Sequence, residues 1–386
     1  MRVLLAFDKF KDSMTAEAAC EAAATAIHSA DAATVLDACP LADGGEGFAT
    51  ILTQAAGGEL RRLSVTGPVE RKVAAAYGLV AGGHVPVAAR AQLFADAAAT
   101  AGPIAVIEMA AASGLALLAP GERDVWRTTT VGTGELIRAA ADAGAEAIVL
   151  GVGGSATNDL GVGALSALGL QFLSAAGTPV MPPVPASWGQ IARCAGALRS
   201  LPPIFIACDV SNPLLGPNGA AAVYGPQKGL QPEDGARMDH AGARMALLLC
   251  AQCGQPDTLM DVAGAGAAGG IAFGLMVAAG ARLLPGFDFV SRWLDLDAKI
   301  AAADLVITGE GRFDDSSLSG KGPGAVAARA LALGKPVHVF AGAVAATHVP
   351  AGLTLHAITP PGLPLAEALR EAPANLGAAV RRLFQR

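Results

Sequence analysis

The sequence predicts an α/β fold with two domains, and three observations support this prediction. The chain has 386 residues, whereas a single hydrophobic core stops growing at about 250 to 300 residues. Short apolar runs alternate with segments of helical periodicity, which is typical of strand–helix–strand units. Polar residues gather after the apolar runs, at the strand ends where open α/β sheets bind their ligands.

The N-terminal segment predicts one strand–helix–strand unit followed by hairpins. The apolar run VLLAF, residues 3–7, predicts a strand, and Ser13 or Thr15 can cap a helix over AEAACEAAATAI. TVLDACP predicts the next strand, before the loop LADGGEG. Residues 58–87 alternate β-branched and polar residues around a Gly-Pro pair, which predicts antiparallel strands.

The rest of the chain predicts further buried strands and helices. AVIEM, residues 105–109, predicts a strand, and Thr133 with Glu135 predicts the first turn of a helix that ends at Gly144. Later strands are predicted at PIFIACD (203–209), ADLVITGEG (303–311), PVHVFAG (336–342) and LHAITP (355–360). We expect a discontinuous first domain over residues 1–62 and 285–386, and a second domain over residues 63–284.

Composition and charge argue against nucleic-acid and membrane partners. The net charge is −6 and the sequence has no basic stripe that would neutralise phosphate backbones. Residues 262–281 are uncharged and long enough to span a membrane, but glycine and alanine dominate them, so we expect a buried helix. Asp8 comes too early for a signal-peptide core. We expect a cytoplasmic protein with reduced cysteines, and a homodimer is one option for its assembly.

The stretch GVGGSATND, residues 151–159, follows a predicted strand and precedes a predicted helix. Its glycines allow backbone N–H groups to approach an anion at a helix N-terminus. It also matches the dinucleotide pattern GxGxxA, but no acidic residue occurs between Asp159 and Asp209 to hold a ribose. Two interpretations stay open: a loop that binds an anion or substrate, and a tight turn in which Asn158 or Asp159 only caps the helix.

Two other glycine-rich stretches carry weaker signals. GAGAAG, residues 264–269, matches GxGxxG without a convincing strand before it, so packing and ligand binding are equally open. GEGRFDDSSLSGKG, residues 309–322, lacks the P-loop pattern, but it combines carboxylates suited to a cation with Lys321, which is suited to a phosphate. The alternative for this second stretch is a solvated surface loop.

Acid, amide and amine groups recur at the ends of several predicted strands. They are Asp8, Lys11 and Ser13; Asp43 and Glu46; Asp209 and Asn212; and Glu310, Asp314, Ser317 and Lys321. Phosphoryl transfer requires donors around the phosphates, carboxylates on Mg²⁺ and a carboxylate that orients or deprotonates the attacking hydroxyl. The sequence supplies all three kinds of group.

Long blocks of the chain resemble the type I glycerate kinases, the family of bacterial glycerate 2-kinases. The matching blocks are FDKFKDSMTA, PLADGGEG, IEMAAASGL, TTTVGTGELI, GVGGSATNDLGVGAL, DVSNPLLGPNGAAAVYGPQKG, AGAGAAGG, LLPGFDFV and ADLVITGEGRFDDSSLSGKGP. The resemblance implies ATP- and Mg²⁺-dependent phosphorylation of D-glycerate. It also implies two different α/β domains, one Rossmann-like with a mainly parallel sheet and one with a mixed sheet, with an active-site cleft between them.

From the strand-end positions and this resemblance we assign candidate roles. The catalytic candidates are Asp8, Lys11 and Asp209, with Asp8 or Asp209 facing the glycerate hydroxyl. The candidate ligands of Mg²⁺ are Asp43, Glu46, Glu310 and Asp314. The candidate contacts to substrate or phosphate are Ser13, Gly44, Gly45, Gly153, Gly154, Ser155, Asn158, Asn212, Arg312, Ser317 and Lys321.

The chain departs from the family pattern at several positions inside these blocks. Where the family reads PDSFKGS, this chain has Phe7, Lys9 and Asp12 in place of Pro, Ser and Gly. Leu160 replaces a glycine, Ser211 replaces an aspartate, and DDSS at 314–317 replaces DAQ followed by Thr or Ser. Phosphorylation at the 2-hydroxyl is expected. The 3-hydroxyl, another small hydroxy acid and a non-catalytic binding protein are the alternatives.

Overall fold

The computed structural model describes residues 1–94, 102–318 and 322–385. The chain forms two compact units, Met1–Asp43 with Val290–Arg386 and Gly44–Phe289. The candidate phosphate contact Lys321 lies outside the described residues.

Strands and helices alternate along most of the chain. The strands are β1 (Arg2–Phe7), β2 (Val35–Ala38), β3 (Glu59–Thr66), β4 (Lys72–Ala81), β5 (Pro103–Glu108), β6 (Ala147–Gly151), β7 (Gln171–Leu173), β8 (Arg193–Ala195), β9 (Ile204–Ala207), β10 (Arg282–Leu284), β11 (Leu305–Phe313), β12 (Val337–Val344) and β13 (Leu353–Ala357). The helices are α1 (Ala16–Ala30), α2 (Phe48–Ala55), α3 (Val87–Leu93), α4 (Ala110–Ser113), α5 (Val131–Asp142), α6 (Val162–Ala167), α7 (Ala220–Tyr224), α8 (Gly235–Cys253), α9 (Ala267–Ala279), α10 (Gly286–Trp293), α11 (Leu296–Ala302), α12 (Gly322–Ala332) and α13 (Leu365–Phe384).

The first unit contains a parallel sheet in the order β13-β12-β11-β1-β2. Helix α1 begins after Thr15, whose side chain accepts a hydrogen bond from the backbone N–H of Ala18, so Thr15 rather than Ser13 caps the helix. The buried faces of α1 and α13 pack with β1 and β11 around Phe7 and Leu376. Because β1 and β11 are neighbours in this sheet, the polar residues at their carboxyl ends are brought together.

The second unit contains a mixed sheet in the order β10-β9-β6-β5-β4-β3. Strands β5, β6, β9 and β10 pair in parallel, whereas β3 and β4 pair antiparallel as a hairpin at one edge. The small antiparallel pair β7-β8 stands apart from this sheet. The predictions of an α/β fold, of one mainly parallel and one mixed sheet, and of antiparallel strands after residue 58 are confirmed.

The two compact units divide the chain at other points than we expected from the sequence. The expected first domain continued to residue 62, but residues 44–62 belong to the second unit. Strand β3 pairs with β4 along eight residues, and α2 packs on β4 and β5. The sequence could not reveal this division, because residues 44–62 continue the strand–helix alternation of the first unit. The pairing of β3 with β4 shows which sheet they join.

The predicted start of helix α5 is wrong. The helix begins at Val131, so Thr133 and Glu135 lie within its first turns. The Thr133 hydroxyl lies 2.8 Å from the Ser113 hydroxyl, and the Glu135 carboxylate accepts a 2.6 Å hydrogen bond from the backbone N–H of Thr66. These polar residues attach the helix to β3 and α4 instead of capping it. Gly144 follows the helix with φ +82°, as predicted for a helix end.

The uncharged stretch at 262–281 forms the buried helix α9, and glycines at its start permit close packing. Ala268, Gly269 and Gly270 have left-handed backbone conformations. The backbone N–H of Leu160 donates to the Gly269 carbonyl at 3.0 Å, and a Cβ on Gly269 would overlap the Thr157 carbonyl. The glycines of GAGAAG therefore serve packing. Among the described helices, none combines the length and the apolar character needed to cross a membrane.

Candidate active site

The first unit carries a group of carboxylates at the carboxyl end of its parallel sheet, which we call the acidic edge and define as Asp8, Asp43 and Glu310. Asp8 follows β1 directly, and Glu310 lies on the neighbouring β11, one residue beyond the Phe7–Gly309 pair. Asp43 lies in the loop between β2 and α2, and its Oδ1 lies 3.5 Å from the Lys9 ammonium. Parallel pairing therefore brings carboxylates from three separate parts of the sequence to one sheet edge.

The carboxyl group of Asp8 has a pKa that is shifted to near neutral pH. Burial raises its pKa to about 7, and the negative charges of Asp43 and Glu310 act in the same direction. The backbone N–H of Lys9 donates to Asp8 Oδ1 at 2.7 Å and opposes this rise. A Cβ on Gly322 would lie 3.4 Å from Asp8 Oδ2, so the first described residue of α12 lies directly beside this carboxyl oxygen.

Glu310 is also held in a half-buried position with part of its hydrogen-bonding capacity unused. Burial is the main cause that raises the pKa of Glu310, and Asp314 and Asp43 add to the rise, whereas a hydrogen bond with Ser317 lowers it. Its Oε1 atom is buried without a hydrogen-bond partner among the described residues. An unsatisfied buried carboxylate oxygen is costly, and a bound cation would satisfy it.

The residues that follow β11 mostly bind one another. Asp314 accepts hydrogen bonds from the Ser316 hydroxyl and from Arg312 Nε, the latter at 3.2 Å. The hydrogen bond from the Ser316 hydroxyl contributes most to lowering the pKa of Asp314. The Ser317 hydroxyl accepts from the Asp314 backbone N–H at 3.2 Å. This short loop is therefore ordered by its own side chains, and Asp314 is less free to bind a cation than Glu310.

Two further candidates, Lys11 and Ser13, lie between β1 and α1. Lys11 is exposed, and its backbone nitrogen would lie 3.2 Å from a Cβ on Gly311, so the absence of a side chain there lets the loop approach β11. The Ser13 hydroxyl donates to the Leu369 carbonyl of α13 at 2.6 Å. Ser13 therefore has a structural contact in the first unit.

The donor chemistry of the acidic edge fits a divalent cation. Within residues 1–94, 102–318 and 322–385, no group of three or more His, Cys, Asp or Glu side chains is already arranged to hold a metal ion. Mg²⁺ commonly binds one or two carboxylates together with the phosphates of a nucleotide. The unpartnered Glu310 oxygen and the mutual repulsion of Asp8, Asp43 and Glu310 match that mode better than an all-protein site.

In the second unit the stretch GVGGSATND forms a loop between β6 and α6, which we call the glycine loop and define as residues 151–159. Gly44 and Gly45 of the same unit pack against it: the backbone N–H of Gly153 donates to the Gly44 carbonyl at 2.9 Å. A Cβ on Gly153 would lie 2.7 Å from the Gly45 Cα, so a side chain there would push the two loops apart. The Gly153 N–H is therefore used inside the fold and is not available to an anion, in contrast to our expectation.

The next two residues of the glycine loop have unused donors. Gly114 and Ser155 form a β-bridge in which Leu115 donates to the Gly154 carbonyl and Ala156 donates to the Ser113 carbonyl. The bridge uses the carbonyl of Gly154 and the N–H of Ala156, and it does not use the backbone N–H groups of Gly154 and Ser155. Among the described residues they have no hydrogen-bond partner.

A buried lysine lies beneath the glycine loop. Lys228 is 1% exposed, and its Nζ donates to Ser155 Oγ at 2.8 Å and to the Thr157 carbonyl at 2.7 Å. Burial lowers the pKa of Lys228 to about 7, and the charge of Asp159 opposes this change. No pattern in the sequence indicates a role for Lys228, because a single lysine in the segment GPQKG is typical of a surface residue.

The Asp159 side chain binds the start of helix α6, as one of the two interpretations of the stretch predicted, although the N-cap residue itself is Gly161. Asp159 is fully buried and accepts hydrogen bonds from the Thr130 N–H and hydroxyl, each at 2.8 Å, and from the N–H groups of Gly161 and Gly163. Burial raises the pKa of Asp159 against the effect of these hydrogen bonds. Asn158 lies beside it with a buried Oδ1 that has no hydrogen-bond partner among the described residues.

Asp209 and Asn212, the candidates that follow β9, make structural contacts in the second unit. Asp209 Oδ2 accepts a 2.9 Å hydrogen bond from the backbone N–H of Phe287 at the start of α10. The Asn212 amide donates to the Asn218 carbonyl at 2.8 Å and accepts from the Tyr224 hydroxyl at 2.7 Å. Asn212 therefore holds the loop before α7. Glu46, a candidate metal ligand, is exposed.

A family model described as the glycerate kinase family matches residues 3–386. The chain belongs to the glycerate kinase family. The resemblance inferred from the sequence blocks is thereby confirmed.

Curated relatives and a solved structure agree with this membership. A glycerate kinase of Haemophilus influenzae is 40% identical over 89% of this chain and 86% of its own length, and one of Bacillus subtilis is 38% identical over 96% and 94%. A glycerate 2-kinase of Escherichia coli is 36% identical over 89% and 86%. A crystal structure from Salmonella typhimurium LT2, assigned as glycerate kinase 2, has a TM-score of 0.77 and 38% identity, covering 100% of this chain and 97% of that one.

Two departures from the glycerate kinase pattern replace glycines at left-handed backbone positions. Asp12 has φ 60° and Leu160 has φ 54°, conformations that glycine adopts without strain. A third departure, Lys9, adds an ammonium group beside Asp43. The sequence comparison could locate these changes, but the pairing of Lys9 was visible only in the structure.

Proposed function

We propose that this member of the glycerate kinase family transfers the γ-phosphoryl group of ATP to the 2-hydroxyl of D-glycerate, giving 2-phosphoglycerate and ADP. The observation that carries the proposal is the family match over residues 3–386. The relative named glycerate 2-kinase supports the 2-hydroxyl as the acceptor. The acidic edge and the glycine loop supply groups that this reaction needs.

Asp8 is the residue that we propose to accept the proton of the attacking hydroxyl. A general base works best when its pKa is near the working pH, and burial brings the pKa of Asp8 to about 7. The one described hydrogen bond of its carboxyl group, from the Lys9 N–H to Oδ1, leaves Oδ2 for a substrate. Asp209, the other candidate base, is engaged with the first turn of α10, so we assign it a structural role.

Mg²⁺ bound with ATP would neutralise the charge that develops on the β- and γ-phosphate oxygens. Glu310 and Asp43 are the residues that we propose to hold it, because both contribute negative charge to the acidic edge and Glu310 has the unpartnered oxygen. Asp314 and Glu46 are secondary candidates. Lys11, Arg312, Ser317 and Lys321 are proposed to contact phosphate or the substrate carboxylate.

The glycine loop is proposed to hold an oxyanion, either the glycerate carboxylate or a phosphate group. Gly154 and Ser155 contribute unused backbone N–H groups, and Ser155 contributes its hydroxyl. Gly44, Gly45 and Gly153 keep the backbones of two loops close together. Asn158 adds a buried amide beside the loop.

The test is an assay of ADP release with ATP, Mg²⁺ and a panel of D-glycerate, L-glycerate, tartronate and threonate, followed by phosphorus and carbon-13 NMR of the product. We expect turnover that requires D-glycerate and a product phosphorylated at the 2-hydroxyl. Formation of 3-phosphoglycerate would overturn the regiochemistry. Preference for another acid would change the substrate. Thermal stabilisation by D-glycerate and ATP without ADP release would identify a binding protein instead of an enzyme.

A cytoplasmic location and assembly as a homodimer also belong to this proposal. The first is tested by cell fractionation and the second by size-exclusion chromatography with light scattering. The residue roles proposed for the phosphoryl transfer do not depend on either outcome.

A further inference from the structure

Lys228 is unusual in this chain because of its burial. Among the described residues, Asp159 and Lys228 are the charged side chains that are fully buried. Asp159 has an evident structural task at the start of α6. Burying an ammonium group is expensive unless its hydrogen bonds are satisfied, so the placement of Lys228 under the glycine loop requires its own explanation.

The chemistry of the lysine ammonium fixes the direction of its hydrogen bond with Ser155. The protonated lysine has three N–H donors and no lone pair, so in this form of Lys228 the Ser155 Oγ is the acceptor in the 2.8 Å contact. The hydrogen of the Ser155 hydroxyl is then available to an acceptor elsewhere. Among the described residues, Lys228 is the hydrogen-bond partner of this hydroxyl, and no protein acceptor takes its hydrogen.

The second hydrogen bond of Lys228 fixes the backbone of the same loop. Its Nζ donates to the Thr157 carbonyl at 2.7 Å, two residues beyond Ser155. The carbonyl of Thr157 also lies against Gly269, where a Cβ would overlap it. Lys228 and the glycines of α9 therefore hold the glycine loop from below, and the unused N–H groups of Gly154 and Ser155 lie in this fixed segment.

We propose that Lys228 is a positioning residue that orients the Ser155 hydroxyl as a donor to an oxyanion and keeps a positive charge behind it. The inference rests on the proposed function and deepens it, because the oxyanion is a carboxylate or phosphate of one of the two substrates. Lys228 itself does not contact the substrate. It acts through Ser155.

The test compares Lys228→Met, Ser155→Ala and the double variant with the wild-type protein. Methionine fills a similar volume without the ammonium. We expect Lys228→Met and Ser155→Ala each to raise the KM of the same substrate by about 10-fold or more, with a smaller change in kcat. The double variant should be about as impaired as either single variant, because Lys228 acts through Ser155.

The substrate whose KM rises identifies the oxyanion. A rise for D-glycerate indicates the carboxylate, and a rise for ATP indicates a phosphate. Lys299→Met is a matched control, since Lys299 forms a 2.7 Å ion pair with Asp37 in the first unit and should leave both KM values unchanged. A merely structural Lys228 would instead give both KM values within about twofold of wild type, or effects additive with Ser155→Ala, and either result overturns the inference.

A binding measurement separates this inference from the proposed function. The shift in melting temperature caused by inorganic phosphate and by D-glycerate is measured for wild type, Lys228→Met and Ser155→Ala. If wild type does not phosphorylate D-glycerate but Lys228→Met and Ser155→Ala lose the anion-induced shift, the proposed reaction fails and the role of Lys228 stands. If turnover is present and the shifts are equal in all three proteins, the role of Lys228 fails alone. If Lys228→Met does not fold, Ser155→Ala with unchanged KM values and unchanged shifts overturns the inference by itself.

Discussion

The acidic edge of the first unit and the glycine loop of the second both bury an ionisable side chain, but they treat its charge in opposite ways. Asp8 lies beside other carboxylates that raise its pKa further, whereas Lys228 is bound by Ser155 and Thr157 and lies in the field of the opposite charge of Asp159. Burial moves both pKa values to about 7, one from below and one from above. The negative charges of the acidic edge repel one another and would be stabilised by a cation. The charge of Lys228, in contrast, is already stabilised by Ser155, Thr157 and Asp159.

The acidic edge, unlike the glycine loop, contains groups that a bound cation would stabilise. Groups that repel one another in the folded protein are stabilised when a cation or a proton arrives, so the acidic edge should gain stability on substitution and lose activity. Groups that satisfy one another support the fold, so removing one partner should destabilise the protein.

The largest expected effect is on turnover. Asp8→Asn should lower kcat by at least about 100-fold with little change in KM, because the amide cannot accept the proton. Steady-state kinetics of ADP release measure it. Asp37→Asn is the control on neighbouring β2, because among the described residues its carboxylate pairs with Lys299, and kcat should stay near wild type. A near-normal kcat in Asp8→Asn together with a large loss of kcat in Asp209→Asn would show that Asp209, and not Asp8, is the general base.

The next effect is on the stability of the second unit. Asp159→Ala removes a buried acceptor of four hydrogen bonds and should lower the free energy of unfolding by about 3 kcal/mol. Urea denaturation measures it. Asp31→Ala, which removes a half-buried acceptor after α1, should cause a clearly smaller loss. Equal losses in the two variants would show that burial of the Asp159 network adds nothing.

A smaller effect of opposite sign is expected for the stability of Asp8→Asn. The pKa of Asp8 is raised from 3.8 to about 7, so the folded wild-type protein binds the proton more tightly than the unfolded chain, and its stability falls as pH rises through this interval. The variant lacks this cost. Its advantage should be near zero at about pH 4 and reach about 2 kcal/mol at about pH 8. This is less than the roughly 4 kcal/mol that the full pKa shift implies, because water still screens the half-buried carboxyl group. An advantage that does not grow with pH, measured by urea denaturation, contradicts the assignment.

The smallest effect is the pH dependence contributed by Lys228. Its pKa falls from 10.5 to about 7 on folding, so the folded state binds fewer protons than the unfolded state between these values, and stability rises with pH across that window. The stability of wild type relative to Lys228→Met should therefore rise by about 1 kcal/mol per pH unit between about pH 7.5 and 9.5. A constant difference would mean that Lys228 titrates normally. Lys299→Met, which removes a half-buried lysine paired with Asp37, serves as the control.

Sequence alone determined the order of the strands and the nature of their ends. Apolar runs such as VLLAF and ADLVITGEG have the length and flanking residues of buried parallel strands, so β1 and β11 were predictable. The position of Asp8 directly after β1 and of Glu310 near the end of β11 was predictable as well. The glycine loop and the binding of Asp159 at the start of α6 were predictable too. These features depend on local periodicity and backbone preference, which the chain carries residue by residue.

Only the tertiary structure decided the partners of these residues. Residues 44–62 join the second unit because β3 pairs with β4, and the start of α5 is set by contacts of Glu135 and Thr133 with distant elements. Lys228 meets Ser155 across 73 residues, and no local pattern encodes such a contact. The physical reason is that burial and charge compensation depend on which segments share a core, and that choice belongs to the whole chain.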